Sequence, residues 1–106
     1  MWAAHGTVLQ MTEGDYGIKL PIKISGITFA QSDMLKFTFL DKKNGNIILE
    51  KEYSSIENNT VFLELIEEES NLFDPRSYVY RLDWYQDGNF MCNIIPEATF
   101  KVVDKA

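Results

Sequence analysis

The chain has 106 residues, of which 45% are hydrophobic and 25% are charged, values near the average for globular proteins. This length suits one apolar core, so we expect a single domain over residues 1–106. A formal charge of −6 would repel a phosphate backbone, which argues against nucleic acid as a partner. The longest apolar run, residues 1–4, is far below the roughly 20 residues that cross a bilayer, and no secretion signal is recognisable. We therefore expect cytoplasmic synthesis and no membrane partner.

Apolar residues recur with a period of two along most of the chain, which predicts β-strands. A first strand is expected around residues 6–12. The next apolar row comprises Ile18, Leu20, Ile22 and Ile24. Pro21 interrupts this row and lacks an N–H group, which favours a sheet edge or a ladder position that needs no donor. A third strand holds Leu35, Phe37 and Phe39 on one face, and Asn44-Gly45 then predicts a tight turn, so residues 34–53 form a hairpin.

The second half of the chain continues the same alternation. Residues 61–66 place apolar side chains on both faces, which predicts a strand covered on both sides. A Glu run then predicts one helical turn that carries Leu72 and Phe73 inward, before Pro75 prevents continuation. Residues 77–86 form the longest predicted strand, and Asp87-Gly88 is a turn signal. Pro96 predicts a bulge or kink in a final strand of two parts.

These elements amount to seven or eight short strands with turn signals spaced about every 8 to 12 residues, as in antiparallel sandwiches. Two facing sheets would bury the apolar rows together, since one sheet alone leaves a face uncovered. The predicted fold is an all-β, immunoglobulin-like antiparallel β-sandwich.

The residue types that carry chemistry are sparse and scattered. An EF-hand loop begun at Asp83 would place Tyr85 and Ile94 at positions that require oxygen ligands, so the calcium interpretation fails. The acidic run at residues 67–69 is interpreted as a solvated face. The single His5 and Cys92 suggest no nucleophile and base pair, and Cys92 is predicted to be a small buried hydrophobe. We expect no catalytic residues, no cofactor and no metal site.

Five aromatic residues lie near predicted loops or on the less apolar strand faces, and they are the candidate partner-binding residues. They are Trp2, Tyr16, Tyr53, Tyr85 and Phe90. Such side chains form contact patches for protein partners or stacking platforms for sugar rings. Core packing or scattered exposure is the alternative for each of them.

An ordered pattern of segments extends over about residues 12–105. It includes "EGDYGIKLPIKISG", "DMLKFTFLDKKNGNIILEK", "NNTVFLELIEEESNLFDPRSYVYRLDWYQDGNF" and "ATFKVVDK". This pattern resembles the amino-terminal domain of phage baseplate upper proteins and related tail-associated immunoglobulin-like domains. In such domains the turn before the Tyr-led strand commonly reads Pro-Gly-x-Tyr, whereas this chain has Arg76 in place of the glycine and Tyr78 at the matching tyrosine.

The resemblance implies a non-enzymatic structural module of a phage or prophage tail or baseplate. Its partners would be other tail or baseplate proteins, with self-association as a further option, and its location would be the virion tail. It also implies that Tyr78 acts as a tyrosine corner, its hydroxyl bonding back to nearby backbone. The alternative function, from a different class, is a carbohydrate-binding module of a bacterial cell-surface protein that uses Tyr16, Tyr85 or Trp2 as platforms.

Overall fold

A computed structural model describes residues 3–5 and 8–105, with side chains from residue 8 onward. The described part contains eight strands and one helical turn. They are β1 (Ala3–His5), β2 (Val8–Thr12), β3 (Leu20–Lys23), β4 (Asp33–Leu40), β5 (Ile47–Ser54), β6 (Thr60–Leu63), α1 (Glu67–Ser70), β7 (Ser77–Gln86) and β8 (Asn89–Val103). The all-β prediction is confirmed.

The strands form a large and a small sheet. Six strands hydrogen-bond in the order β1-β2-β8-β7-β4-β5, and β3 pairs with β6 in a separate two-stranded sheet. The prediction of a purely antiparallel arrangement is wrong at one pair, since β2 runs parallel to β8 with Leu9 opposite Phe100. Alternation along one strand shows which side chains turn inward but says nothing about which strand lies beside it or in which direction.

The core lies between the two sheets. Buried side chains of the large sheet include Leu35, Phe37 and Phe39 on β4, and they share the core with Val61 and Leu63 of β6. We call this side of the large sheet its inner face and the opposite side its outer face. Apart from Ile18, which is 45% exposed, the aliphatic and aromatic rows predicted from the sequence pack together in this core, as a two-layer arrangement requires.

The small sheet confirms one prediction and contradicts another. Pro21 lies opposite Phe62, three residue pairs from the pair in which the Ile24 N–H donates to the Asn59 carbonyl at 2.8 Å. Hydrogen-bonded and non-bonded pairs alternate in antiparallel ladders, so Pro21 occupies a position that requires no donor. The predicted cover on both faces of β6 is wrong, because Val61 is buried whereas Phe62 is 52% exposed.

Two predicted turns differ in outcome. Asp87 and Gly88 have φ angles of 51° and 79° and join the facing residues Gln86 and Asn89, so the predicted two-residue turn is confirmed. The hairpin of β4 and β5 is also confirmed, and the predicted turn is confirmed in part: the Gly45 N–H donates to the Lys42 carbonyl at 2.9 Å and Asn44 has a φ of 57°, but Gly45 has no positive φ. The connection is a longer loop closed by the Asp41 N–H, which donates to the Asn46 carbonyl at 3.1 Å.

For β7 and β8, the sequence predicted the bounds of one strand and a bulge in the other. The bounds of β7 match the prediction, although β8 and not β7 is the longest strand, with 15 residues. Tyr80 faces Ala98 whereas Leu82 faces Ile95, so β8 carries an extra residue around Pro96 and the predicted bulge is confirmed.

In the segment after α1, Phe73 is buried as predicted, but Leu72 is 50% exposed, contrary to the prediction.

Candidate functional site

The candidate partner-binding aromatics lie in different parts of the fold. Tyr16 is 52% exposed and precedes the small sheet, whereas Phe90 is 53% exposed at the turn between β7 and β8. Tyr85 packs beside Phe90, with ring centroids 5.7 Å apart. Trp2 lies outside the described residues. Tyr53 is half-buried on the inner side of β5. The structure therefore brings Tyr85 and Phe90 together and places Tyr16 elsewhere.

The Tyr85–Phe90 pair lies at one end of the outer face. The Lys36 ammonium group is 5.2 Å from the centre of the Tyr85 ring and 3.1 Å from the Glu50 carboxylate. The hydrogen bond with Glu50 raises the pKa of Lys36, so this group remains cationic at neutral pH. One side of Tyr85 is thus occupied by a cation, and Phe90 is the more accessible ring.

A polar cluster continues this surface along β7 and β8. Asp83 is only 3% exposed, and its carboxylate accepts hydrogen bonds from Arg81 Nε at 3.2 Å and from Asn93 Nδ2. Each carboxylate oxygen therefore has a partner, as a buried anion requires. Further along lies a small depression that is open to solvent and is lined by Leu40, Asn44, Val79, Arg81, Pro96 and Glu97. Its lining contains one carboxylate, that of Glu97, and no hydroxyl, thiol or imidazole group.

Tyr53 takes part in a polar link between the two layers. Its hydroxyl accepts a hydrogen bond from the Glu64 N–H at 3.4 Å, and its ring packs edge-on to Phe37 at 5.8 Å. The neighbouring inward residue Lys51 donates to the Glu64 carbonyl and forms an ion pair with Glu69 at 2.7 Å. Burial raises the pKa of Tyr53, so the hydroxyl stays protonated at neutral pH. The hydroxyl of Tyr53 is thus occupied inside the fold.

The acidic run divides into two parts. The Glu69 carboxylate forms the ion pair with Lys51 and also accepts a hydrogen bond from the Ile66 N–H at 2.9 Å. Glu67 and Glu68 are exposed and form no ion pair among the residues that the structure describes. Within the same described part, no group of three His, Cys, Asp or Glu side chains is arranged to hold a metal ion.

Of the two residues singled out from the sequence as possible nucleophile and base, Cys92 and His5, only the side chain of Cys92 can be placed. Cys92 is exposed, so the prediction that it is buried is wrong. It faces Trp84 near the turn end of β8, where two register shifts interrupt the alternation of faces and its neighbours Met91 and Asn93 are also exposed. The side chain of His5 lies outside the described part.

Tyr78 behaves as the resemblance implied. Its buried hydroxyl accepts the Asp74 N–H at 2.8 Å and donates to the Asp74 carbonyl at 3.2 Å. Arg76 needs no positive φ, donates through its guanidinium to the Asp41 carbonyl at 2.6 Å, and lies 4.7 Å from the centre of the Tyr78 ring. Arg76 therefore fits this turn and tethers it to the β4–β5 loop.

A second exposed surface surrounds Tyr16, and the sequence did not predict it. The Gly17 N–H donates to the Leu65 carbonyl at 2.9 Å, which brings the segment before β3 beside the segment after β6. We define the Tyr16 surface as Tyr16, Ile18 and Ile66, the neighbours of these two bonded residues, with exposed fractions of 52%, 45% and 53%. Alternation had suggested that Ile18 faces the core and that Ile66 is covered, so no sequence signal identified them.

Comparisons with known proteins found no match to any family model, to any curated protein or to any solved structure. Among the described residues, no helix has the length and apolar character needed to cross a membrane. Function is therefore inferred from the surfaces described above and from the family resemblance of the sequence.

Proposed function

We propose that this chain is a non-enzymatic assembly module of a phage or prophage tail or baseplate, built as an immunoglobulin-like β-sandwich. Its partners are other tail proteins, and it binds them through loops and sheet edges in the virion tail. The observation that carries the proposal is the presence of two separate surfaces, each centred on half-exposed aromatic residues. One contains Phe90 on the large sheet, and the other contains Tyr16 beside the small sheet.

Two such surfaces suit a connecting module. Aromatic side chains are enriched at the centres of protein interfaces, because they bury a large area while losing little conformational entropy. Each surface sits on hydrogen-bonded backbone: the β7–β8 hairpin holds Tyr85 and Phe90, and the bond from Gly17 to Leu65 holds Tyr16. A rigid scaffold with two contact regions can hold two partners in a defined relation.

The edge of the large sheet formed by β5 is acidic. β5 is the terminal strand, and its outer face carries Glu50 and Glu52. Charged residues on an edge strand oppose uncontrolled pairing with further strands, since a second acidic strand would be repelled. This edge therefore favours a partner that supplies cations over a second copy of this chain.

Co-purification tests the proposal. The tagged chain is expressed with the proteins encoded beside it, and complexes are identified by size-exclusion chromatography with mass measurement. We expect at least one tail or baseplate protein to co-elute, and we expect Phe90→Ser or Ile66→Ser to weaken the complex. A chain that elutes only as a monomer and retains no neighbouring protein would contradict the proposal.

The second candidate, a carbohydrate-binding module of a bacterial cell-surface protein, is favoured by one observation. Phe90 presents an accessible ring at one end of an outer face that also carries Arg81 and Asn93, and sugar sites combine such platforms with polar side chains. Binding on a glycan array that is lost in Phe90→Ala would support this function. An array without any hit would exclude it in favour of the assembly module.

A further inference from the structure

The Tyr16 surface combines apolar area with uncompensated negative charge. Its three members are each about half exposed, and single exposed apolar residues would be ordinary on a protein surface. Here they occur on two adjacent segments that the hydrogen bond from Gly17 to Leu65 holds together. The surface is therefore a patch with a fixed backbone and not a set of unrelated side chains.

Two carboxylates border this patch. Glu67 and Glu68 directly follow Ile66, and neither forms an ion pair among the described residues. The Glu67 carboxylate also raises the pKa of the Tyr16 phenol, by hydrogen bonding and by its charge, which places the acid beside the aromatic ring. Lys19, the nearest cation along the chain to Ile18, is exposed and pairs with neither carboxylate.

We propose that the Tyr16 surface binds a basic amphipathic segment of a partner protein, in which Lys or Arg residues are interspersed with apolar residues. The inference rests on the proposed assembly function and specifies the chemistry of one partner. Apolar side chains of the segment cover Tyr16, Ile18 and Ile66, while its cations pair with Glu67 and Glu68. Burial of the apolar area supplies affinity, and the opposite charges select the partner and speed the encounter.

Charge complementarity decides among the occupants of such a patch. The chain as a whole carries a formal charge of −6, so an acidic peptide or an anionic membrane would be repelled by the surface and by the rest of the molecule. A second copy would bring the same carboxylates against each other if the patch were self-complementary. A basic segment would meet neither the repulsion from the acidic chain nor the repulsion between the carboxylates of two copies.

A peptide-binding measurement tests the inference without knowledge of the natural partner. A fluorescent peptide that alternates Lys with Val is titrated with the whole chain, and a Glu-Val peptide of equal length is the charge control. We expect binding of the Lys-Val peptide only, with affinity that falls as salt is added because surface ion pairs are screened. Equal binding of both peptides, or binding that does not depend on salt, would overturn the inference.

Matched variants locate the binding. We expect Ile66→Ser to weaken the Lys-Val peptide by about tenfold through lost apolar burial, and the double variant Glu67→Gln/Glu68→Gln by about fivefold. Ile47→Ser and Glu97→Gln change accessible residues of β5 and β8 that are not part of the Tyr16 surface, and they should leave affinity unchanged. Circular dichroism checks that each variant retains the fold. Equal losses in these control variants would overturn the inference.

Failure of this inference can be distinguished from failure of the proposed function. If a tail protein co-purifies equally well with the Ile66→Ser and Glu67→Gln/Glu68→Gln variants, the Tyr16 surface is not its site and only the inference fails. If the Lys-Val peptide binds as expected but no tail protein does, the chemistry of the surface stands and the assembly function fails. A concentration-dependent dimer that Ile66→Ser abolishes would identify a second copy as the occupant and overturn the inference.

Discussion

Gly45 shows how one residue determines a loop. A Cβ atom at this position would overlap with Asp41 Oδ1 and lie 2.9 Å from the Lys42 carbonyl oxygen. Asp41 Oδ1 cannot easily move away, since it accepts the Asn46 N–H at 2.8 Å. We expect Gly45→Ala to lower the free energy of unfolding by about 1–3 kcal/mol, measured by urea denaturation.

Asn44 provides the control for Gly45 in the same loop. Its φ is 57°, a conformation that glycine adopts without strain, so Asn44→Gly should change stability by only a few tenths of a kcal/mol. If Gly45→Ala were as stable as the original chain, the close packing of this loop would be refuted. The sequence marked Asn44-Gly45 as a turn, but the reason for the glycine is steric exclusion and not a positive φ.

Tyr80 should make stability depend on pH in the alkaline range. Burial raises the pKa of its phenol to about 12, from the ordinary value of 10.0. The folded state thus holds this proton more tightly than the unfolded state, so the stabilisation is complete below about pH 10 and is lost as the pH rises toward 12. The loss is on the order of 2 kcal/mol. Urea denaturation across this pH range measures it.

The variant Tyr80→Phe separates the contribution of Tyr80 to this pH dependence from that of Tyr53. The separation is needed because burial also raises the pKa of Tyr53, so both phenols lower the stability as the pH rises. The variant should lose less stability between about pH 10 and 12 than the original chain. Identical pH profiles for the two proteins would show that Tyr80 is not the responsible group. Phenolate absorbance gives an independent measure of its titration.

At the scale of elements, β5 is joined to the small-sheet layer by the ion pair of Lys51 and Glu69. Their side chains are 17% and 20% exposed, compared with 23% and 43% for Lys36 and Glu50 on the outer face. Lower exposure means less screening by water, so a double-mutant cycle with Lys51→Met and Glu69→Gln should show the larger coupling. We expect on the order of 1–2 kcal/mol for this pair and less than about 1 kcal/mol for the outer pair.

The outer pair Lys36 and Glu50 is the internal reference, studied with Lys36→Met and Glu50→Gln by the same chemical denaturation. Equal coupling in the two cycles would mean that the link between layers contributes nothing beyond an ordinary surface ion pair. The sequence placed Lys51 within a strand, but only the register of β5 against Phe37 shows that it points inward.

Strands were predicted correctly where apolar and polar residues alternate without interruption over a long segment. β4 and β7 carry long apolar rows, and their positions follow from the period of two. β6 was interpreted incorrectly because apolar side chains on both faces do not reveal that one face lacks a neighbour. Its Phe62 is exposed since the small sheet has nothing packed on its outer side among the described residues.

At the scale of the whole molecule, Phe73 connects the two layers. Its ring contacts Phe39, Tyr78 and Phe100, with centroids between 5.0 and 5.6 Å apart. These partners lie on three strands of the large sheet, whereas Phe73 belongs to the segment after α1. We expect Phe73→Ala to lower stability by about 3–5 kcal/mol, because a large cavity would open between the layers.

The same variant tests whether the chain is one cooperative domain. If it is, far-UV circular dichroism and tryptophan fluorescence should report one coincident transition, shifted equally in Phe73→Ala. Leu72→Ala is the neighbouring control and should have little effect, since Leu72 is 50% exposed. Separate transitions for the two signals would contradict the single-domain prediction.

The sequence by itself determined the all-β class, the inward rows of β4 and β7, the turn at Asp87-Gly88 and the bulge near Pro96, because each depends on residues adjacent in the chain. Only the tertiary structure decided that β2 runs parallel to β8, that Lys51 links two layers, that Cys92 is exposed, and that the segments of Tyr16 and Ile66 lie side by side. These features depend on which distant segments pack together, and the burial of a side chain is set by that packing and not by its place in a local alternation.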